Sequence, residues 1–117
     1  MLIQGLHLTQ INSGDFLLEP SRSLNIQAAD MLIDNIAASL QQARASRLYY
    51  DLSGLALIDP VYYAWLDTLA RTVQAINVSM VCIHMQPTAA FGLAQFLFEK
   101  PAFETALDIS GWKEHGQ

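Results

Sequence analysis

The sequence predicts a single α/β domain over residues 1–117, with a mixed sheet of four or five strands. The first observation is a pair of short strand-like runs separated by a dense turn signal, which favours an antiparallel hairpin. The second is an amphipathic helix pattern joining two apolar runs at 48–53 and 78–84, which predicts a parallel strand pair. The third is the presence of about three main helical patterns, expected to pack mostly against one face of the sheet.

The predicted hairpin occupies the start of the chain. Its first strand covers residues 2–11, where Leu6 and Leu8 share one face. The segment 12–15 (Asn-Ser-Gly-Asp) is a strong turn signal, and a second short strand covers 16–19. Strands so close in sequence are expected to pair antiparallel.

The first long helix is expected between about Asn25, a residue type that favours the N-cap position, and about Arg44. Apolar residues recur along this segment with a period of about 3.6 residues, which places them on one side. These residues are Ala29, Leu32, Ile33, Ile36, Leu40 and Ala43. Met31 lies on the opposite side and is expected to be exposed.

The strand at 48–53 and the residues after it organise the chain. Apolar Leu48, Tyr50 and Leu52 alternate there with Tyr49 and Asp51. Gly54 interrupts the run, and Asp59 is a favourable N-cap because its carboxylate can accept hydrogen bonds from first-turn amides. Pro60 suits the first helical position, where an N–H would have no partner inside the helix. The second helix is therefore expected from Pro60 to about Ile76.

The second helix carries more apolar residues than its core face needs. The core stripe is expected to contain Tyr62, Leu66, Leu69, Val73 and Ile76. Val61 and Tyr63 project to either side of this stripe, and Trp65 falls at its edge. An exposed group of such residues is typical of the core of a protein interface. The alternative is that a loop or a chain terminus covers them.

The C-terminal third predicts one more helix and one more strand. The helix begins at Pro87. Its expected core face consists of Ala90, Phe91, Ala94, Leu97 and Phe98. Residues 103–109 are expected to form a last strand or a short helix–strand piece, and residues 110–117 are expected to fray.

Composition argues against several classes of partner. The formal net charge is −5, and the six Lys and Arg residues are scattered, so the clustered basic surface of a nucleic-acid binder is missing. The same deficit argues against docking on an anionic membrane. No apolar run approaches the ~20 residues of a spanning helix, and the start lacks the pattern of a secretory signal. With Cys82 as the single cysteine, we expect a cytoplasmic protein.

The chemistry-bearing residues favour structural roles over catalysis. Ser53 follows a strand, where a serine usually satisfies a turn backbone rather than acting as a nucleophile. Asp51 and Asp59 have no sequence sign of the shared cleft that paired catalytic carboxylates need. Cys82 and His84 lie two apart, too few ligands for a metal site. We therefore expect no catalytic residues, no metal and no cofactor, and thus no enzyme.

A family resemblance rests on the same central residues. The run YYDLSGLALID at 49–59, a helix, the run VSMVCIHMQP at 78–87 and a second helix together resemble the STAS domain. This family includes bacterial anti-sigma-factor antagonists, stressosome proteins and small subunits of lipid-transport ABC systems. The resemblance covers nearly the whole chain in the expected element order. It implies one STAS-like domain whose function is regulation through protein binding.

The resemblance also implies a lost switch. In phosphoregulated members, the residue after the second aspartate is a serine or threonine that a kinase modifies; here that position is Pro60. Proline has no hydroxyl group, so this modification cannot occur at Pro60. Ser53 and Thr88 are the other positions at which a phosphate would indicate that regulation has moved.

The resemblance points to a binding surface at the start of the second helix. The predicted partner-binding residues are Asp59, Pro60, Val61, Tyr63 and Ala64, beside the loop 54–58. The implied partners are an anti-sigma factor or switch-kinase-like protein, another STAS protein, or a second copy of this chain. Two alternatives stay open: an accessory subunit docked on the ATPase of a lipid or anion transporter, and a small-molecule-binding domain with its pocket at the carboxyl end of the central strand.

Overall fold

A computed structural model describes residues 2–95 and 100–109 of the chain. In chain order its elements are strands β1 (Leu2–Ile3), β2 (Leu6–Asn12) and β3 (Asp15–Pro20), a 3-10 turn (Ile26–Ala28), helix α1 (Ala29–Gln42), strand β4 (Arg47–Asp51), helix α2 (Pro60–Gln74), strand β5 (Ser79–Ile83), helix α3 (Pro87–Ala94) and strand β6 (Glu104–Ala106). The α/β class predicted from the sequence is confirmed.

The strands form one mixed sheet in which every strand pairs with the next one along the chain. The order is β1-β2-β3-β4-β5-β6. The pairs β1–β2 and β2–β3 are antiparallel, and the pairs from β3 to β6 are parallel. The predicted parallel pairing of the central strands is confirmed, with Tyr50 opposite Cys82. Within the described residues, five strands are three residues or longer, and the two-residue β1 extends the edge.

The hairpin forms as predicted, but its first strand is not continuous. Gly5 has a φ of +90°, and a Cβ there would stand 2.7 Å from the Cα of Leu24. A tight turn that only glycine fits therefore folds β1 back onto β2. Leu6 and Leu8 are buried on one face, whereas His7 between them is exposed.

The first helix begins and ends slightly inside its predicted bounds. The Asn25 side chain accepts a hydrogen bond from the Gln27 amide at 3.1 Å, and a 3-10 turn precedes α1. Arg44 has a φ of 56°, and the Ala45 amide returns to the Leu40 carbonyl, so the chain leaves the helix after Gln42. The predicted core face is confirmed, with Leu32, Ile33, Ile36 and Leu40 buried. Met31 is 69% exposed, as expected.

The central strand is buried on both faces of the sheet. The main core contains Leu48, Tyr50 and Leu52 together with the apolar faces of the three helices. Tyr49, which alternates with them, is also fully buried and forms a second cluster with Val81 and Ile83. The alternation in the sequence identified the two faces, but it did not indicate that the second face is covered as well.

The predicted core face of the third helix is wrong. Ala89 and Leu93 are the buried residues of α3, whereas Ala90, Phe91 and Ala94 are exposed. Because nearly every residue of this short helix is apolar, the hydrophobic pattern did not identify one face. Leu97 and Phe98, assigned to the same face, lie outside the described residues.

The end of the chain supplies the predicted last strand. It is β6, which pairs parallel with β5 and places Thr105 opposite Cys82. The expectation for 110–117 lies outside the described residues. None of the helices in the part of the chain that the structure describes combines the length and apolar composition that crossing a membrane would require.

Candidate functional site

The second helix begins at the residues predicted to start it. The Asp59 carboxylate accepts a hydrogen bond from the Tyr62 amide at 2.8 Å, with Asp59 itself in an extended conformation. Pro60 occupies the first helical position. Both residues are exposed, so the cap orders the first turn without hiding it. An N-cap of this kind typically stabilises a helix by about 1 kcal/mol.

The predicted surface residues differ in exposure. Asp59, Pro60 and Ala64 are exposed, and Val61 is 64% exposed. Tyr63 is half-buried, because its ring packs edge-on against Phe103. The ring centroids are 6.0 Å apart and the ring planes are inclined at 65°. The alternative that a loop or the chain terminus covers these residues therefore holds in part for Tyr63, and its role in partner binding stays a prediction. The Tyr63 ring packs against Phe103 of the C-terminal segment.

Trp65 belongs to the core rather than to the surface group. It is 3% exposed, and its indole N–H donates a hydrogen bond to the Tyr50 hydroxyl at 2.9 Å. The Tyr50 hydroxyl is also 2.6 Å from the Tyr62 hydroxyl. Burial is the main cause that raises the pKa of both phenols, so both stay protonated at ordinary pH. This network ties the central strand to the first turns of α2.

The loop between β4 and α2 is held in place from α3. The Gln86 side-chain amide donates to the Ser53 carbonyl at 2.7 Å, and the Thr88 hydroxyl donates to the Ala56 carbonyl. Leu57 leans on the same helix: a Cβ placed on Gly92 would be 3.0 Å from Leu57 Cδ1. The loop that precedes the exposed start of α2 is therefore supported by the neighbouring helix.

In the described part of the chain, the exposed large apolar residues other than Met31 follow the carboxyl ends of strands, and Leu107 follows β6. Leu57 is 63% exposed and Phe91 is 73% exposed, and both lie, like Val61, after the carboxyl ends of β4 and β5. We call Leu57, Val61 and Phe91 the apolar patch. The sequence from 52 to 66 holds one charged residue, Asp59. Depletion of charge around apolar side chains is characteristic of the core of a protein interface.

The patch was only partly foreseen. The sequence predicts Val61 as a partner-binding residue and places Leu57 in the loop 54–58 beside the predicted surface. The sequence predicts Phe91 on the core face of α3 and therefore misses its exposure. No local signal could have found it, since the residues around Phe91 are apolar on every side of the helix.

The Asp51 carboxylate accepts a backbone hydrogen bond in the turn after β4, a role that the sequence predicts for Ser53. Asp51 Oδ1 accepts the Ser53 amide at 2.9 Å and lies 3.1 Å from His84 Nδ1. Burial raises the pKa of Asp51, but the hydrogen bonds from Ser53 and His84 outweigh it and hold the pKa below its usual range. Asp51 and Asp59 are thus engaged with different partners, and this arrangement offers no support for an acid–base pair.

Cys82 and His84 do not form a metal-binding pair. Cys82 is fully buried, which raises the pKa of its thiol, whereas His84 follows the end of β5 with a φ of 59° and an exposed ring. Over residues 2–95 and 100–109, no three His, Cys, Asp or Glu side chains come together as a metal site. Cys82 acts as a small buried apolar residue.

The sheet order, the three helices and the capped start of α2 define the STAS fold. A chain of the stressosome aligns with a TM-score of 0.76 at 15% identity, covering 93% of this chain and 94% of that one. A variant of RsbS from Moorella thermoacetica gives 0.72 at 14% identity, covering 94% and 92%. The anti-sigma-factor antagonist SpoIIAA, unphosphorylated, gives 0.60 at 12% identity, covering 95% and 96%. These likenesses confirm the predicted fold.

Sequence comparison adds nothing to this structural likeness. No protein-family model matches the chain, and no curated protein sequence matches it. The chain therefore has the fold of STAS regulators with a sequence far from theirs.

Proposed function

We propose that this chain is a non-catalytic regulatory module that binds a protein partner through the apolar patch and the start of α2. The observation that carries the proposal is the exposure of Leu57, Val61 and Phe91 on the helices and loop after β4 and β5, with Asp59 as the one charged residue between 52 and 66. An ordered surface of this kind loses little conformational freedom on binding, which favours affinity. The cap at Asp59 and the contacts from α3 supply that order.

The structural neighbours support a regulatory role of this kind. They include an anti-sigma-factor antagonist and a component of the stressosome, a signal integration and transduction hub. By analogy, the partner is an anti-sigma factor, a switch-kinase-like protein or another STAS protein in the cytoplasm. The transporter-subunit alternative receives no separate support from the described residues.

The proposal includes constitutive association. Pro60 stands at the exposed first position of α2, where a phosphate would meet the free amides of the helix start. Without a hydroxyl at that position, no phosphate can be added there to repel a partner. Binding is then governed by concentration and by competition between partners.

The test compares two charge insertions at equally exposed apolar residues. The partner is isolated by cross-linking to the tagged chain in a native extract, and its Kd is then measured for wild type, Val61→Glu and Met31→Glu. Val61 is 64% exposed and Met31 is 69% exposed, so neither variant should disturb the core. We expect Val61→Glu to weaken binding about thirtyfold, the effect of losing a hot-spot contact of about 2 kcal/mol.

The matched variant Met31→Glu tests whether the interface with the partner lies at the apolar patch. Met31→Glu on α1 should bind like wild type, because it lies outside the patch. Equal weakening by both variants, or by Met31→Glu alone, would place the interface elsewhere. Analytical ultracentrifugation of the same variants reveals whether the partner is a second copy of the chain.

A further inference from the structure

A cavity of about 700 Å³ lies between α3 and the C-terminal segment, at the carboxyl ends of β5 and β6. Its described lining is mostly apolar. These residues are His84, Met85, Ala90, Leu93, Ala94, Pro101, Phe103, Thr105, Ala106 and Leu107. Sites for small molecules typically have volumes of about 300–1,000 Å³ and apolar walls with a few polar groups. In open α/β sheets they lie outside the carboxyl ends of parallel strands, as this cavity does.

His84, a polar residue on the cavity wall, is held in position by hydrogen bonds. His84 Nδ1 lies 3.1 Å from Asp51 Oδ1, and the His84 amide donates to the Leu107 carbonyl at 3.2 Å. In the tautomer that carries its proton on Nδ1, the ring donates to the Asp51 carboxylate and Nε2 is left as a hydrogen-bond acceptor. Thr105, the second polar residue of the lining, adds a hydroxyl. The wall can thus receive one or two hydrogen bonds from an otherwise apolar molecule.

The charges around the cavity disfavour an anion. The Asp51 carboxylate lies beside the His84 ring. In the sequence, Glu104 and Asp108 flank the lining residues Thr105 to Leu107. Lys100, which precedes Pro101, is the one cation in that segment, so the acidic groups outnumber it. The whole chain carries a formal net charge of −5, which acts in the same direction.

We propose that this cavity is a binding site for an uncharged small molecule with an apolar body and one hydroxyl group that donates a hydrogen bond to His84. The site does not depend on the proposed protein partner. It uses a different set of residues from the apolar patch, although both involve α3.

The test is a titration of the ¹⁵N-labelled full chain with 1-octanol and, separately, with octanoate, followed by amide NMR spectra. The two probes share a chain length and differ in charge. We expect saturable shifts with 1-octanol at Met85, Leu93, Thr105 and Leu107, and at least about tenfold weaker binding of octanoate. Absence of saturation, equal affinity for both probes, or shifts confined to other residues would overturn the proposal.

Variants test whether the cavity itself is the site. Ala90→Phe fills the cavity from an exposed position of α3, so it should weaken 1-octanol binding at least about tenfold. Ala38→Phe makes the same change at an exposed position of α1 that is outside the lining, and binding should be unchanged. If the spectrum of Ala90→Phe shows that it does not fold, Ala94→Phe takes its place. Unchanged binding in the folded filling variant would refute the site.

Discussion

Replacing Tyr63 with alanine tests how far this ring belongs to the core. The ring is half-buried and meets Phe103 edge-on at a centroid distance of 6.0 Å. Truncating a fully buried aromatic residue to alanine costs about 3–5 kcal/mol, so a half-buried ring should lose about 2 kcal/mol of unfolding free energy. The edge-on pair accounts for about 0.5–1.5 kcal/mol of that loss.

Urea unfolding followed by tryptophan fluorescence measures this loss, since Trp65 is buried and reports on the core. Val61→Ala is the matched control, because Val61 is exposed and two residues away on the same helix turn. Its effect should stay within about 0.5 kcal/mol. Tyr63→Phe keeps the ring and should retain most of the stability. A loss below about 0.5 kcal/mol for Tyr63→Ala would refute the packing described for this residue.

Three further predictions concern residues of the same region. Asp59→Ala should lower the free energy of unfolding by about 1 kcal/mol in thermal melts, because the Tyr62 amide loses its cap; no change would show that the cap is dispensable. Asp51 has a lowered pKa in the folded chain, so its stabilisation is present above the unfolded pKa and is lost as pH falls through the folded pKa. The stability difference between wild type and Asp51→Asn should therefore shrink as pH falls below about 4, the ordinary pKa of an unfolded aspartate, and a constant difference would contradict the assignment. Incubation with a switch kinase and Mg-ATP should add no phosphate at 59–61, as intact mass and peptide mapping can establish, whereas phosphate on Ser53 or Thr88 would mean that regulation has moved.

Local rules predicted the parts of the site that are local. The N-cap at Asp59 and the proline at the first helical position depend on residues within one helical turn, and both occur as predicted. The parallel pairing of β4 and β5 followed from the helix between them, because a crossover helix brings its two strands into parallel alignment.

The hydrophobic pattern of a single element could not predict contacts between segments that are distant in the sequence. Phe103 reaches Tyr63 only after the chain has passed through β5 and α3, so the burial of Tyr63 could not be read from the period of α2. The hydrogen bond from Trp65 to Tyr50 likewise joins a helix to a strand. The predicted core face of α3 is wrong for a different reason, because a helix that is almost wholly apolar has no distinct apolar stripe.

Helix α3 is the element through which the cavity and the apolar patch adjoin. Ala90 and Leu93 line the cavity, while Thr88 at the start of the same helix holds the Ala56 carbonyl of the loop before α2. Leu57 of that loop lies against Gly92. The same helix therefore lines the cavity and contacts the loop that leads into Asp59.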